Sequence, residues 1–172
     1  MIIYKDCFTG DELFSDSYKV KTVDEVFYEV EGKMTTETTQ VSDAMFGGNA
    51  STEATEEDES ADGKISQSGC NIVLANRLVE TQFAKKDFQT YIKGYIKRLL
   101  DRIKENNPQR EAAFKKAAQE AVMKILGSFD KWQFFMGTST DADAMICLLN
   151  FREDGITPYM LFWKDGLVEE KV

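Results

Sequence analysis

From Phe88 onward, apolar side chains recur at Tyr91, Ile92, Tyr95, Ile96, Leu99, Leu100 and Ile103. Intervals of three and four residues trace one face of an α-helix over about four turns. A strand cannot bury such a pattern, because its side chains change face at every residue. Lys93, Lys97, Arg98, Arg102 and Lys104 occupy the other faces. The helix start is poorly provided for. Ala84 stands where Ser, Thr or Asp is favoured as a cap, and Lys85 and Lys86 oppose the helix dipole, offset only partly by Asp87. Asn106-Asn107-Pro108 then ends one helix and opens another, with Asn107 expected to cap and Pro108 at the first helical position. Phe114, Ala117, Ala118, Ala121, Val122, Ile125 and Phe129 line the face of the second helix, and its alanines permit close approach. The short connection predicts an antiparallel helical hairpin over about residues 85–129.

Both flanks read as strands. Met1 to Phe8 is apolar and β-prone, Thr9-Gly10-Asp11-Glu12 is a turn, and Tyr18 to Lys21 and Val26 to Val30 alternate like half-buried strands. Ile72-Val73-Leu74 predicts a further strand continuing to about Phe83. Trp132 to Met136, Met145 to Phe151 and Tyr159 to Trp163 are β-prone, and Asp154-Gly155 and Asp165-Gly166 predict hairpin turns. Strands, helical hairpin, strands is the order of an α+β fold: a mainly antiparallel β body with an inserted helical hairpin. The 172 residues are expected to form a single domain.

Thr35 to Ser68 breaks this pattern. Glu53, Glu56, Glu57, Asp58, Glu59 and Asp62 have no basic residue among them, and only Val41, Met45, Phe46 and Ile65 could anchor the stretch. So little apolar surface does not offset chain entropy, which predicts a long mobile acidic loop over about residues 35–68. Charge is unevenly distributed along the whole chain. Lys85 to Lys131 carries 12 Lys/Arg against 6 Asp/Glu, whereas the full sequence has a net charge of −9. A basic hairpin on an acidic body is expected; the plainer reading is that its lysines only solvate helix faces.

Most chemistry is excluded by composition. Histidine is absent, which removes the usual acid–base group near neutral pH, the commonest zinc ligand and any Ser-His-Asp arrangement. Cys7, Cys70 and Cys147 are scattered and odd in number, as reduced thiols of a reducing compartment would be. No P-loop or Gly-x-Gly-x-x-Gly occurs. Asp58-x-Ser60-x-Asp62-Gly63 starts like an EF-hand loop, but Gly69 stands where the bidentate Glu belongs. The expectation is weak calcium association with clustered carboxylates such as Glu56, Glu57, Asp58 and Asp62, with no cofactor required. The chain has no apolar run long enough for a membrane span, and no signal peptide is read at its start. A cytoplasmic binding protein is expected, not an enzyme, and no nucleic-acid partner.

Four stretches together resemble one family. They are Met1-Ile2-Ile3-Tyr4-Lys5-Asp6 with Asp11-Glu12-Leu13-Phe14-Ser15-Asp16; Phe46-Gly47-Gly48-Asn49-Ala50-Ser51; Phe134-Phe135-Met136-Gly137; and Phe151-Arg152-Glu153-Asp154-Gly155-Ile156-Thr157-Pro158-Tyr159-Met160 with Lys164-Asp165-Gly166-Leu167. The chain is similar along its length to the translationally controlled tumour protein family. The resemblance implies a β-tent body like that of a guanine-nucleotide-releasing chaperone, a helical hairpin and a flexible loop. It implies calcium binding, association with tubulin and microtubules, growth-promoting and anti-apoptotic roles with Bcl-2-family partners, and release from cells without a signal peptide. It also implies action on a small GTPase of the Ras-homologue type through Glu12. The basic hairpin residues Lys93, Lys97, Arg98 and Arg102 are the expected tubulin-binding face. Thr138, the Asp143-Ala144 pair and the terminal Val172 depart from the family pattern; many members end in cysteine, which bears on dimerisation through that end.

Overall fold

The fold is seen in a computed structural model that describes residues 1–40 and 64–172. In chain order its elements are β1 (Ile2–Asp6), β2 (Glu12–Ser15), β3 (Lys19–Val23), β4 (Phe27–Glu31), β5 (Met34–Gln40), β6 (Lys64–Cys70), α1 (Asn71–Asn76) and β7 (Val79–Thr81). Then come α2 (Lys85–Asn106), α3 (Glu111–Gly127), β8 (Gln133–Met136), β9 (Cys147–Phe151), β10 (Pro158–Trp163) and β11 (Leu167–Lys171). Strands β3-β4-β10-β9-β8-β7 form one antiparallel sheet, β11-β1-β2 a second, and β5-β6 a hydrogen-bonded pair.

The six-stranded sheet is covered on both faces, and strand register decides which residues point where. Phe27 lies opposite Trp163, and Leu161 opposite Leu148, which is itself opposite Phe134. This face receives the helices: Trp163 packs 6.4 Å from Tyr95 and 6.5 Å from Phe114, and Phe134 packs 5.1 Å from Phe88. The other face, with Tyr28 and Phe162 paired, receives the small sheet, where Phe14 sits 4.4 Å from Phe162. Burying each such side chain contributes on the order of 2 kcal/mol.

The helical hairpin matches the sequence reading in register, except that Phe129 lies beyond the second helix in a 3-10 turn, Phe129–Lys131. α2 buries Phe88, Ile92, Tyr95, Leu99 and Ile103, and α3 buries Phe114, Ala117, Ala118, Ala121 and Ile125. Ala84 is the cap of α2 and makes no side-chain cap bond. Asn107 does not cap the second helix. Pro108–Arg110 form a separate 3-10 turn, and α3 starts only at Glu111 behind Arg110. The reversal is completed by backbone bonds, Asn107 N–H to the Ile103 carbonyl and Arg110 N–H to the Asn107 carbonyl.

Three other expectations change. Ile72-Val73-Leu74 belongs to the short helix α1, ended by Arg77 at φ 55°, and the extended chain is confined to β7. A short apolar run fits a buried helical turn as well as a strand, and Asn71 selects the helix start by accepting the Lys33 N–H at 3.0 Å. Asp165-Gly166 does not close a hairpin. A 3-10 turn at Lys164–Gly166 sends β11 away from β10 to pair with β1, Leu167 opposite Asp6. The ends of the segment expected as a loop, 35–68, are paired strands, Thr35 opposite Gly69, and its middle, residues 41–63, lies outside the described residues.

Candidate functional site

Glu12 is placed by the tight β1–β2 turn. The nearly inaccessible Asp6 carboxylate accepts the Phe8 N–H through Oδ1 and the Met145 N–H through Oδ2, both at 2.8 Å. Its carbonyl accepts the Gly10 N–H, and Gly10 adopts φ +80°, a conformation glycine takes without strain. Between Tyr4 and Lys5 the register shifts: Tyr4 faces Phe14, while Lys5 faces Glu12. The extra residue, Leu13, is taken into the core beside Phe14, and Glu12 is left exposed. Lys5 Nζ lies 2.6 Å from Glu170 Oε1, and this hydrogen bond, helped by the charges of Glu170 and Glu12, raises the Lys5 pKa. One ammonium between two carboxylates leaves this corner of the surface with a net negative charge.

The neighbouring Asp11 has a different task. Its Oδ2 accepts both the N–H (3.2 Å) and the hydroxyl (2.5 Å) of Ser139, tying the turn to the loop after β8. An added Cβ at Gly137 would lie 2.5 Å from Asp11 Cβ. The adjacent carboxylates in the sequence thus divide into one anchor and one free group, a division no local pattern reveals. The anchoring roles of Asp6, Asp11 and Lys5 escaped the sequence reading because Met145, Ser139 and Glu170 lie far along the chain.

The four basic residues of α2 are not equivalent. Lys93 and Lys97 are exposed, whereas Arg98 and Arg102 are half-buried. Lys93 and Arg98 are five residues apart, which places them roughly 140° apart around the helix. The Arg98 guanidinium donates to the Asp143 carbonyl at 2.6 Å and lies over the rings of Phe8 and Tyr95, at 5.1 and 5.4 Å. Lys93 and Lys97 therefore share one stripe, and Arg98 and Arg102 another.

Glu56, Glu57, Asp58 and Asp62, the expected calcium-associating carboxylates, lie outside the described residues. Among the described residues no group of three His, Cys, Asp or Glu gathers to hold a metal. Cys7, Cys70 and Cys147 are free thiols. Burial pushes Cys7 up to about 11, and it also raises Cys70 and Cys147, so all three are protonated at neutral pH and poor nucleophiles. Among the described residues, no helix is long and apolar enough to cross a membrane.

The profile of the family described as translationally controlled tumour protein matches residues 1–168. The chain is 50% identical over 171 residues to the translationally-controlled tumor protein homolog of Branchiostoma belcheri and 47% identical over 171 residues to that of Schizosaccharomyces pombe, with 99% of both chains covered in each case. The solved structure of the translationally controlled tumor-associated protein p23fyp from Schizosaccharomyces pombe superposes with a TM-score of 0.83 at 46% identity, covering 100% of both chains. The NMR structure of the Caenorhabditis elegans protein gives a TM-score of 0.72 at 33% identity, covering 100% of this chain and 99% of that one.

Proposed function

The chain belongs to the translationally controlled tumour protein family, and from that membership we propose that it is a cytoplasmic, non-enzymatic binding protein with several partners. Tubulin and microtubules are the partners of the basic hairpin, with Lys93 and Lys97 as the leading contacts and Arg98 and Arg102 flanking them. What supports this reading is that α2 buries Phe88, Ile92, Tyr95, Leu99 and Ile103 while Lys93 and Lys97 stay exposed, so the cations can reach an acidic partner without unfolding the hairpin. Complementary charge acts mainly on encounter rate and orientation, and it is screened within roughly 10 Å at 0.1 M salt. Microtubule co-sedimentation tests it. Replacing Lys93, Lys97 and Arg102 by Gln should reduce pelleting and flatten its salt dependence. Pelleting equal to the parent at every salt concentration removes the basic hairpin from the interface.

The acidic segment with Glu56, Glu57, Asp58 and Asp62 would associate with calcium weakly, with dissociation constants on the order of 10⁻⁴ M or above. Growth-promoting and anti-apoptotic roles, the latter through Bcl-2-family partners, and release from cells follow the family.

A second reading is regulation of a small GTPase of the Ras-homologue type through Glu12. It is favoured by one observation, the exposed position of Glu12 beside a lysine already engaged by Glu170. A carboxylate presented in this way competes for a lysine or Mg²⁺ that would otherwise hold phosphate, and needs no bond chemistry to do so.

A further inference from the structure

Gly94 sits in the interior of α2, a helix of 22 residues. Glycine is among the poorest residues for a helix interior, and nothing packed nearby requires it: an added Cβ would meet no atom within 4 Å. The space beyond it is a groove of about 660 Å³. Asp87, Gly94 and Arg98 of α2 line one side, Asp143 the other, and Phe83, Tyr91, Met136 and Ile146 provide apolar surface. Thr81 borders the groove on β7, which among the described residues pairs only with β8, and a strand with an open side can hydrogen-bond an extended chain.

The groove is preformed. The loop opposite α2 is held from several directions: the Tyr91 hydroxyl donates to the Ala144 carbonyl at 2.6 Å and accepts the Ile146 N–H at 3.0 Å. Asp6 accepts the Met145 N–H, and Asp11 holds Ser139. A wall already ordered costs little to order on binding. The charge of the groove has one sign to spare. Among the described residues Arg98 is the single cation lining it, and it is occupied, donating to the Asp143 carbonyl and lying over two aromatic rings. Asp143 Oδ1 pairs loosely with Arg98 Nη2 at 4.0 Å, its side chain 81% exposed, and the Asp87 carboxylate is the lining charge without an ion pair among the described residues.

We propose that this groove binds an extended peptide segment of a protein partner, an apolar side chain lying over Gly94 and a flanking lysine or arginine meeting Asp87 or Asp143. Such a partner is opposite in charge to one that would bind Lys93 and Lys97, and the two surfaces meet at Arg98, which borders the groove.

The probe is the capped peptide acetyl-Lys-Leu-Val-Lys-amide, titrated into the full-length ¹⁵N-labelled protein, with acetyl-Glu-Leu-Val-Glu-amide as the charge-reversed control. Amide shifts should change around Thr81, Gly94 and Ile146 for the basic peptide and hardly at all for the acidic one. Gly94→Ala should bind like the parent, whereas Gly94→Leu, which fills the groove, should weaken binding by about tenfold or more. Both variants should melt no lower than the parent, because each improves helix propensity. Asp87→Asn combined with Asp143→Asn keeps the groove shape and should also weaken binding, which covers the case in which the leucine disturbs the loop. Equal binding of both peptides, shifts elsewhere on the surface, or unchanged binding by the Asp87→Asn/Asp143→Asn protein overturns the proposal. So does concentration-dependent broadening of the same amides without peptide, which would make the occupant a second copy of this chain.

Discussion

Arg110 grips Asp165 through two parallel hydrogen bonds, Nε to Oδ1 at 2.7 Å and Nη2 to Oδ2 at 2.8 Å, and the same Nη2 donates to the Glu25 carbonyl at 2.7 Å. One side chain from the helix–helix connection therefore holds both the β3–β4 turn and the turn that redirects the chain from the large sheet to the small one. The turn it holds has two non-glycine residues at positive φ, Asp24 at 54° and Glu25 at 64°, a conformation that persists only when surrounding contacts enforce it. Lys124 Nζ adds a second tie, 3.1 Å from Asp24 Oδ1.

Arg110→Ala is expected to destabilise the protein by about 2 kcal/mol, the scale of charged hydrogen bonds lost from a partly buried site. Arg110→Lys should recover only part of this, because an ammonium cannot make the paired contact. Urea denaturation of the three proteins reads the difference; a loss under about 0.5 kcal/mol for Arg110→Ala would reduce the grip to an ordinary surface pair.

Gly166 lies against the Tyr95 hydroxyl, where an added Cβ would collide. That hydroxyl is buried and has no hydrogen-bond partner among the described residues. Gly166→Ala is expected to cost about 1–3 kcal/mol by overpacking. Tyr95→Phe removes the colliding oxygen, so the double variant should be more stable than the sum of the single effects allows. Strict additivity in thermal or chemical denaturation would show that the clash is relieved elsewhere.

Asp154 caps the β9–β10 turn, accepting the N–H groups of Ile156 (2.7 Å) and Thr157 (2.9 Å) and the Thr157 hydroxyl (2.8 Å). The Thr157 and Ile156 N–H bonds, in that order, hold its pKa below the ordinary aspartate value. A depressed folded-state pKa stabilises above the unfolded value, and that contribution is lost as pH falls through the folded one. Asp154→Ala should therefore be less stable than the parent at neutral pH, with the gap closing on acidification. A gap that is constant or widens toward low pH contradicts the capping account.

Glu12→Ala should change stability by no more than about 0.5 kcal/mol, since the side chain is exposed and outside the core. It should weaken binding to a purified Ras-homologue GTPase and slow any nucleotide release the parent stimulates. Unaltered binding and release would leave Glu12 without a role there.

The sequence alone determined the elements that depend on near neighbours. The two apolar helical stripes were legible because their period is local, and the reversal at Asn107-Pro108 because proline cannot continue the preceding helix. The poor cap at Ala84 was legible for the same reason. Tertiary structure decided what depends on distant partners. Ile72-Val73-Leu74 became helix because Asn71 bonds to Lys33 and Ile72 is buried in the core. β11 left its neighbour β10 because β1 offers an antiparallel edge and Cys7 donates its N–H to the Gly166 carbonyl. Arg98 differs from Lys97, one residue away, because the fold brings Asp143, Phe8 and Tyr95 to one and solvent to the other. A local pattern specifies backbone period and which side chains must leave water; which buried group meets which, and which charges remain free for a partner, is settled only when segments far apart in the chain pack together.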